Sequence, residues 1–142
     1  MTRAATAGIS GYVGLLLVAY LVSGSLRATV FDQLIGAPSA AALEGLWLVS
    51  AGLSGAALIP LPDPGEGLGR VVLAGAVAAS AFLCMDALVA EMLCGISLER
   101  HLSRFTEPAG WIQALSLTVA CLAPLLMLIL SEEARPIDNN AG

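Results

Sequence analysis

Two carboxylates interrupt the third of the chain's four long apolar runs, residues 71–96. They are the residues best suited to chemistry. Asp86 lies near the middle of that run, and Glu91 follows five residues later. A carboxylate at the centre of a bilayer costs about 2.5–3.5 kcal/mol on insertion scales, so it must be protonated, paired or in contact with water or protein. Asp86 is therefore a candidate proton relay, cation-binding group or ligand partner. The alternative is a hydrogen bond within a packed bundle or between subunits.

The spacing of the two acids argues against a joint site. Five residues rotate Glu91 by about 140° from Asp86 on a regular helix, so the two side chains do not share a face. A paired-carboxylate acid/base site on this helix alone is therefore not expected. Glu91 lies nearer the membrane interface and can reach the headgroup region. Arg27, at the end of the first run, is a candidate partner for either acid.

The other polar groups of interest lie close to the ends of apolar runs, where we expect interfacial roles. Glu44 is a turn into the second run, where the helix dipole favours a carboxylate. Arg100 and His101 share a charged loop, and one histidine without a cysteine or histidine companion makes no metal site. Trp111 begins the fourth run, at the level of an interfacial aromatic residue. With Arg27, these residues form the predicted interfacial set.

The composition identifies the kind of protein that must position these groups. Of 142 residues, 58% are hydrophobic and 12% are charged, with a mean hydropathy of +0.87. Soluble domains carry about 25% charged residues, so this chain is predicted to be a membrane protein. Its composition excludes a disordered, collagen-like or disulfide-stapled secreted protein. The 6 basic residues are scattered arginines, which cannot form a patch that follows nucleic-acid phosphates.

Four apolar runs predict four membrane-spanning helices. Each run offers about 20 apolar residues, the length that a hydrocarbon core of about 30 Å requires. Strand-type alternation is absent. The predicted fold is an all-α, polytopic integral membrane protein with short loops. It forms one domain over residues 1–142, with helices at about 8–27, 40–61, 70–98 and 110–131 and a polar tail at 132–142.

An even number of spans places both termini on the same side of the membrane. The side itself stays open, because the positive-inside rule finds three arginines at each face: 3, 70 and 135 against 27, 100 and 104. Residues 1–28 also match the pattern of a signal peptide, but we expect them to form the first helix. The expected location is a bacterial inner membrane or an organellar one, mitochondrial or plastid.

Small residues four apart indicate where helices pack closely. Gly75 and Ala79 form such a pair in the third run, and Ala51 and Gly55 form another in the second. Small residues at this spacing let helix backbones approach each other in lipid. The pattern is equally compatible with packing inside the bundle and with docking onto the helix of another subunit.

The chain holds no catalytic constellation, so it is not expected to be an enzyme. There is no Ser/His/Asp set, no phosphate-binding glycine loop and no zinc spacing. The leading hypothesis is a non-catalytic accessory subunit of a larger integral membrane complex, such as a respiratory or photosynthetic one. A small oligomeric transporter or ion- or proton-conducting protein that uses Asp86 is the alternative, and a lipid- or quinone-binding protein is the third. Expected partners are other membrane subunits and lipid; no cofactor beyond a bound lipid or quinone is expected.

Overall fold

The computed structural model describes residues 3–59, 67–93 and 95–133, and all regular structure in these ranges is helical. Four long helices carry the apolar runs, and two short helices lie in the connections. In chain order they are α1 (Arg3–Leu26), α2 (Asp32–Ile35), α3 (Ala37–Ala56), α4 (Gly67–Leu88), α5 (Leu98–Ser103) and α6 (Pro108–Glu133). The predicted end of the second helix at 60–61, residue 94 and most of the predicted tail, 134–142, lie outside the described residues.

The first connection is far shorter than the loop expected over residues 28–39. A π-helical turn, Arg27–Phe31, joins α1 directly to α2, so that helix continues to Ile35. Gly36 then breaks the helix with φ 81° and ψ 153°, a conformation that a residue with a side chain rarely adopts. Pro38 lies in the first turn of α3, where its missing N–H leaves no hydrogen bond unmade.

The third connection, which joins α4 to α6, interrupts the helix expected over residues 70–98. A second π-helical turn, Val89–Leu93, extends α4, and Gly95 follows with φ 64°. Ser97 is extended and caps α5, since its hydroxyl accepts from the backbone N–H of Arg100. A 3-10 turn, Arg104–Thr106, links α5 to α6. This connection therefore folds back onto the bundle instead of continuing α4.

Cross-helix contacts establish how the long helices run relative to one another. Arg27 at the end of α1 reaches Glu44 near the start of α3, so these two helices are antiparallel. Gln113 near the start of α6 also reaches Glu44, so α3 and α6 are parallel. Tyr20 late in α1 reaches Asp86 late in α4, so α1 and α4 are parallel. The ends of α1 and α4 thus meet the starts of α3 and α6, and we call this region the polar end.

The opposite half of the bundle has an apolar core. Among the described residues of this half, Tyr12 carries the one buried hydroxyl. It donates a hydrogen bond to the backbone carbonyl of Ala120 at 2.6 Å. All buried polar or charged residues in the described ranges lie instead at the polar end: Ser23, Glu44, Asp86, His101 and Gln113. The apolar half is built from Ile9, Tyr12, Leu16, Ile59, Ala74, Ala78 and Ala120.

Glycines allow the helix backbones to touch where the small-residue pairs were found. A Cβ on Gly75 would lie 2.6 Å from the carbonyl oxygen of Cys121, so α4 meets the α6 backbone there. A Cβ on Gly55 would lie 3.0 Å from the ring of Tyr12, which brings α3 against α1. Ala51 packs against the buried core, whereas Ala79 lines a groove between α4 and α6. The pairs therefore lie at helix contacts within the chain.

Within the described ranges, three helical segments are long and apolar enough to cross a membrane. They are Thr6–Ile35, Leu68–Met92 and Pro108–Ser131. The second apolar run forms α3, which has 20 residues but is not among the three. Its hydropathy is lowered by Glu44, Trp47 and several glycines and serines along its length. Length alone would let α3 span about 30 Å.

Candidate functional site

The polar end is organised around the carboxylate of Asp86. The hydroxyl of Tyr20 donates to its Oδ1, and Nη2 of Arg104 donates to its Oδ2. Nε2 of His101 lies 2.8 Å from the same Oδ2. Asp86 and His101 are buried. A carboxylate with three hydrogen-bond partners and a cation beside it is adequately compensated for its removal from water.

Asp86 lies two residues before the α-helical part of its helix ends at Leu88, and a π-helical turn continues the helix to Leu93. Its carboxylate is met by the connection that follows. That connection then brings basic groups back to it, since the cap at Ser97 starts α5 and directs His101 inward. The adjoining 3-10 turn carries Arg104 to the same carboxylate. These pairings offset the cost of burying the carboxylate.

The backbone beside Arg104 fits closely against the start of α6. A Cβ on Gly110 would collide with the carbonyl oxygen of Arg104 and lie 2.9 Å from the Cα of Phe105. Only glycine leaves room for this approach. The 3-10 turn is therefore held against α6, which fixes the position from which Arg104 reaches Asp86.

A second ion-paired group lies beside the first. Nη1 of Arg27 is 2.9 Å from Oε2 of Glu44, and its Nε is 3.2 Å from Oδ1 of Asp32. Nε2 of Gln113 donates to Oε1 of Glu44 at 3.4 Å. Glu44 is buried within the bundle. The uninterrupted helical segment through Arg27 carries the arginine over the start of α3, where it meets this carboxylate.

Gly24 separates the two groups and leaves open space between them. A Cβ at this position would lie 3.6 Å from Oε1 of Glu44 and 3.9 Å from a ring carbon of Tyr20, both ordinary contacts. A cavity of about 380 Å³ is lined by both ion-paired groups and by the apolar residues Leu21, Ala28, Val89, Ala90, Ile96 and Ala109. The cavity thus has a polar wall and an apolar wall.

The predicted site residues divide clearly between this cavity and the outer surface. Asp86, His101, Arg27 and Glu44 line the cavity. Arg27 pairs with Glu44 and Asp32, not with Asp86 or Glu91. The remaining predicted polar residues are exposed and do not line the cavity: Glu91, Arg100 and Trp111. The two acids five residues apart thus face different surroundings.

Sequence reasoning missed three members of the site, Tyr20, Arg104 and Gln113. Tyr20 lies in the first apolar run, Gln113 near the start of the fourth, and Arg104 in the charged loop between the third and fourth runs. Neither their types nor their positions indicated a shared site. Which partner each would choose depends on helix packing, which no local pattern specifies.

The arrangement can bind polar atoms and exchange protons, but its groups do not form a metal site. Within the described ranges no group of three or more His, Cys, Asp or Glu residues could hold a metal ion. A buried Asp–His pair with a tyrosine hydroxyl can accept or donate a proton. The guanidinium of Arg104 also has spare donor capacity: its Nε is buried and, in the described part of the chain, has no acceptor. No family model, curated protein or solved structure matches the chain.

Proposed function

We propose that this is an integral membrane protein that binds an amphipathic ligand, a lipid or a quinone, in the cavity at its polar end. In this proposal all four long helices cross the membrane, with both termini on one side, in a bacterial inner membrane or an organellar one. The protein is not an enzyme. The observation that supports the proposal is a cavity with one wall of paired charges and one of aliphatic side chains.

The two walls match the two parts of an amphipathic molecule. Asp86, Glu44 and their partners offer hydrogen bonds to a polar head, while Leu21, Val89 and Ile96 offer apolar contact to a tail. The volume of about 380 Å³ is within the usual range of small-molecule pockets, about 300–1,000 Å³. The polar end of a membrane protein lies at the depth where lipid headgroups and quinone rings meet water.

The geometry favours binding over conduction through a single chain. A conducting path needs polar groups or water along the whole bundle. In the described residues, the buried polar side chains are confined to the polar end, and the other half is closed by apolar packing. The hydroxyl of Tyr12 donates its hydrogen bond to the backbone carbonyl of Ala120, which has no proton to pass on. The conducting alternative would require a path between several copies of the chain.

The binding proposal is tested by filling the cavity. The full chain is purified in mild detergent from membranes that contain quinones, and native mass spectrometry measures retained lipids and quinones. We expect one amphipathic molecule per chain. Gly24→Leu places a side chain between Glu44 and Tyr20 and is expected to abolish retention.

The matched control is Gly14→Leu, since Gly14 lies ten residues earlier on α1 and has no atom within 4 Å of an added Cβ. It is expected to retain the ligand. Equal retention by both variants, or no specific retention by the unsubstituted chain, would contradict the proposal.

A role as a non-catalytic accessory subunit of a larger membrane complex is the second candidate. The observation that favours it is the outer face of α4, where Ala76 and Ser80 are four residues apart and exposed beside a shallow hollow. Such a face allows a helix of another integral membrane subunit to approach closely. Extraction of the tagged chain from its native membrane in mild detergent, followed by mass measurement, tests this role. A monodisperse monomer would count against it.

A further inference from the structure

The charged groups around the cavity differ in how far they are exposed. The side chain of Arg104 is 30% exposed and that of Asp86 is 4% exposed. The side chain of Arg27 is 18% exposed and that of Glu44 is 2% exposed. In both buried ion pairs the arginine is therefore the more exposed partner. Asp32, the second partner of Arg27, is itself 36% exposed.

These arginines have hydrogen-bond donors to spare. A guanidinium carries five N–H donors and no acceptor. In the described residues, Arg104 uses one side-chain nitrogen on Asp86, and Arg27 uses two, on Glu44 and Asp32. The polar wall therefore offers hydrogen-bond donors. It suits a ligand that presents oxygen acceptors.

The overall charge of the lining argues against an anionic acceptor such as a phosphate. The acids Asp32, Glu44, Asp86 and Glu107 outnumber the two arginines, and His101 adds at most one positive charge. An anion placed among these groups in a low-dielectric site is opposed by the net negative field. A cation would find the two buried carboxylates, Glu44 and Asp86, already paired with Arg27 and Arg104.

We infer that the cavity selects a neutral head group with carbonyl oxygens, which Arg27 and Arg104 bind as hydrogen-bond donors. This inference rests on the proposed ligand-binding function and specifies the chemistry of its ligand. Two sources provide such a head: the ring of an oxidised quinone and the ester groups of an uncharged glyceride. Phospholipid head groups with a net negative charge are excluded from the site.

The test compares ligands that differ in one group. The full chain in phosphatidylcholine nanodiscs is loaded with dioctanoylglycerol, dioctanoyl phosphatidic acid or a short-tailed ubiquinone, and retained ligand is measured after repurification. Dioctanoylglycerol and dioctanoyl phosphatidic acid differ by the phosphate alone. We expect at least one neutral ligand to be retained about tenfold more than phosphatidic acid. Comparison of the glyceride with the ubiquinone identifies which source supplies the carbonyl.

Substitutions assign the binding to the two arginines. Arg27→Gln and Arg104→Gln are each expected to lower retention of the neutral ligand about tenfold, the effect of losing a charge-assisted hydrogen bond. Arg100→Gln is the matched control, because Arg100 is exposed on α5 and does not line the cavity. If Arg104→Gln is too unstable to purify, Arg104→Lys keeps the charge beside Asp86 but removes the planar donors, and it should also lower retention.

The outcomes separate the inference from the proposed function. Preferential retention of phosphatidic acid, lost in the arginine variants, would overturn the neutral-head inference and leave the binding function standing. Retention of a neutral ligand that both arginine variants preserve would also overturn the inference. Failure of every ligand to bind the cavity would overturn the proposed function itself.

Discussion

Nε2 of His101 lies 2.8 Å from Oδ2 of Asp86, fifteen residues earlier in the chain. This contact closes the third connection over the end of α4. Arg104 reaches the same oxygen from the next turn, so one carboxylate anchors both α5 and the 3-10 turn. The anchored segment forms part of the cavity wall. The stability of the connection and the shape of the cavity therefore depend on the same acid.

Removing the charge of Asp86 should destabilise the protein. Asp86→Asn leaves Arg104 without its carboxylate, and breaking a buried ion pair costs about 3–5 kcal/mol. We expect a loss of about 3 kcal/mol, at the lower end of that range, because Arg104 is partly exposed. Thermal or denaturant unfolding in mild detergent measures the difference.

Glu91→Gln provides the comparison for that experiment. It makes the same kind of change five residues later in the chain, at an exposed carboxylate. Its effect should stay within about 0.5 kcal/mol, as for other surface substitutions. An equal loss of stability in the two variants would mean that removing a negative charge at either position causes the loss. The contacts of Asp86 would then contribute nothing further.

The contact between α4 and α6 should not tolerate a methyl group at Gly75. The added Cβ would lie 2.6 Å from the carbonyl oxygen of Cys121, a backbone atom that cannot move without shifting the helix. Overpacking of this kind costs about 1–3 kcal/mol. Gly14→Ala should instead stabilise α1 by up to about 1 kcal/mol, since its Cβ meets nothing and alanine favours helix. Opposite shifts in melting temperature would establish the close approach; parallel shifts would refute it.

Part of this architecture was accessible from the sequence. Apolar runs of about 20 residues without strand alternation predicted an all-helical chain, and the described residues confirm that. The small-residue pairs include Gly55 and Gly75, where another helix lies close. Such pairs can be read from sequence because close approach of two helix backbones requires small residues. The first connection was predicted poorly, since nothing in the pattern showed that helix would continue to Ile35.

The candidate site was less predictable, because its contacts join residues far apart in the chain. Asp86 was identified as the most informative residue, but an apolar run does not reveal which groups fold back onto it. The partners of Asp86 come from α1 and from the third connection. Tyr20 gave no indication of its role, since a tyrosine in an apolar helix is ordinary. Helix register and the fold of the connection decide such pairings.

The start of α6 should be as sensitive as the α4 contact, with a consequence for the cavity. Gly110→Ala forces the carbonyl of Arg104 and the backbone of Phe105 away from α6. The guanidinium of Arg104 then leaves its position beside Asp86. We expect a loss of stability of about 1–3 kcal/mol together with weaker ligand retention. Unchanged retention in a destabilised Gly110→Ala protein would separate helix packing from the binding site.

The anchoring role of His101 can be tested by replacing its imidazole with a ring that cannot pair. His101→Phe keeps a flat ring in a buried position but removes the contact to Asp86. Hydrogen exchange followed by mass spectrometry should show faster exchange over residues 97–107, because the segment then keeps only one of its two contacts to Asp86, that of Arg104. Exchange over the apolar half of the bundle, around Tyr12 and Ala120, should stay unchanged.

Leu102→Ala, one residue further at an exposed position of α5, is the control and should leave the segment protected. Faster exchange in both variants would mean that α5 is held by its apolar surface, and unchanged exchange in His101→Phe would mean that the imidazole contributes nothing to closing the connection.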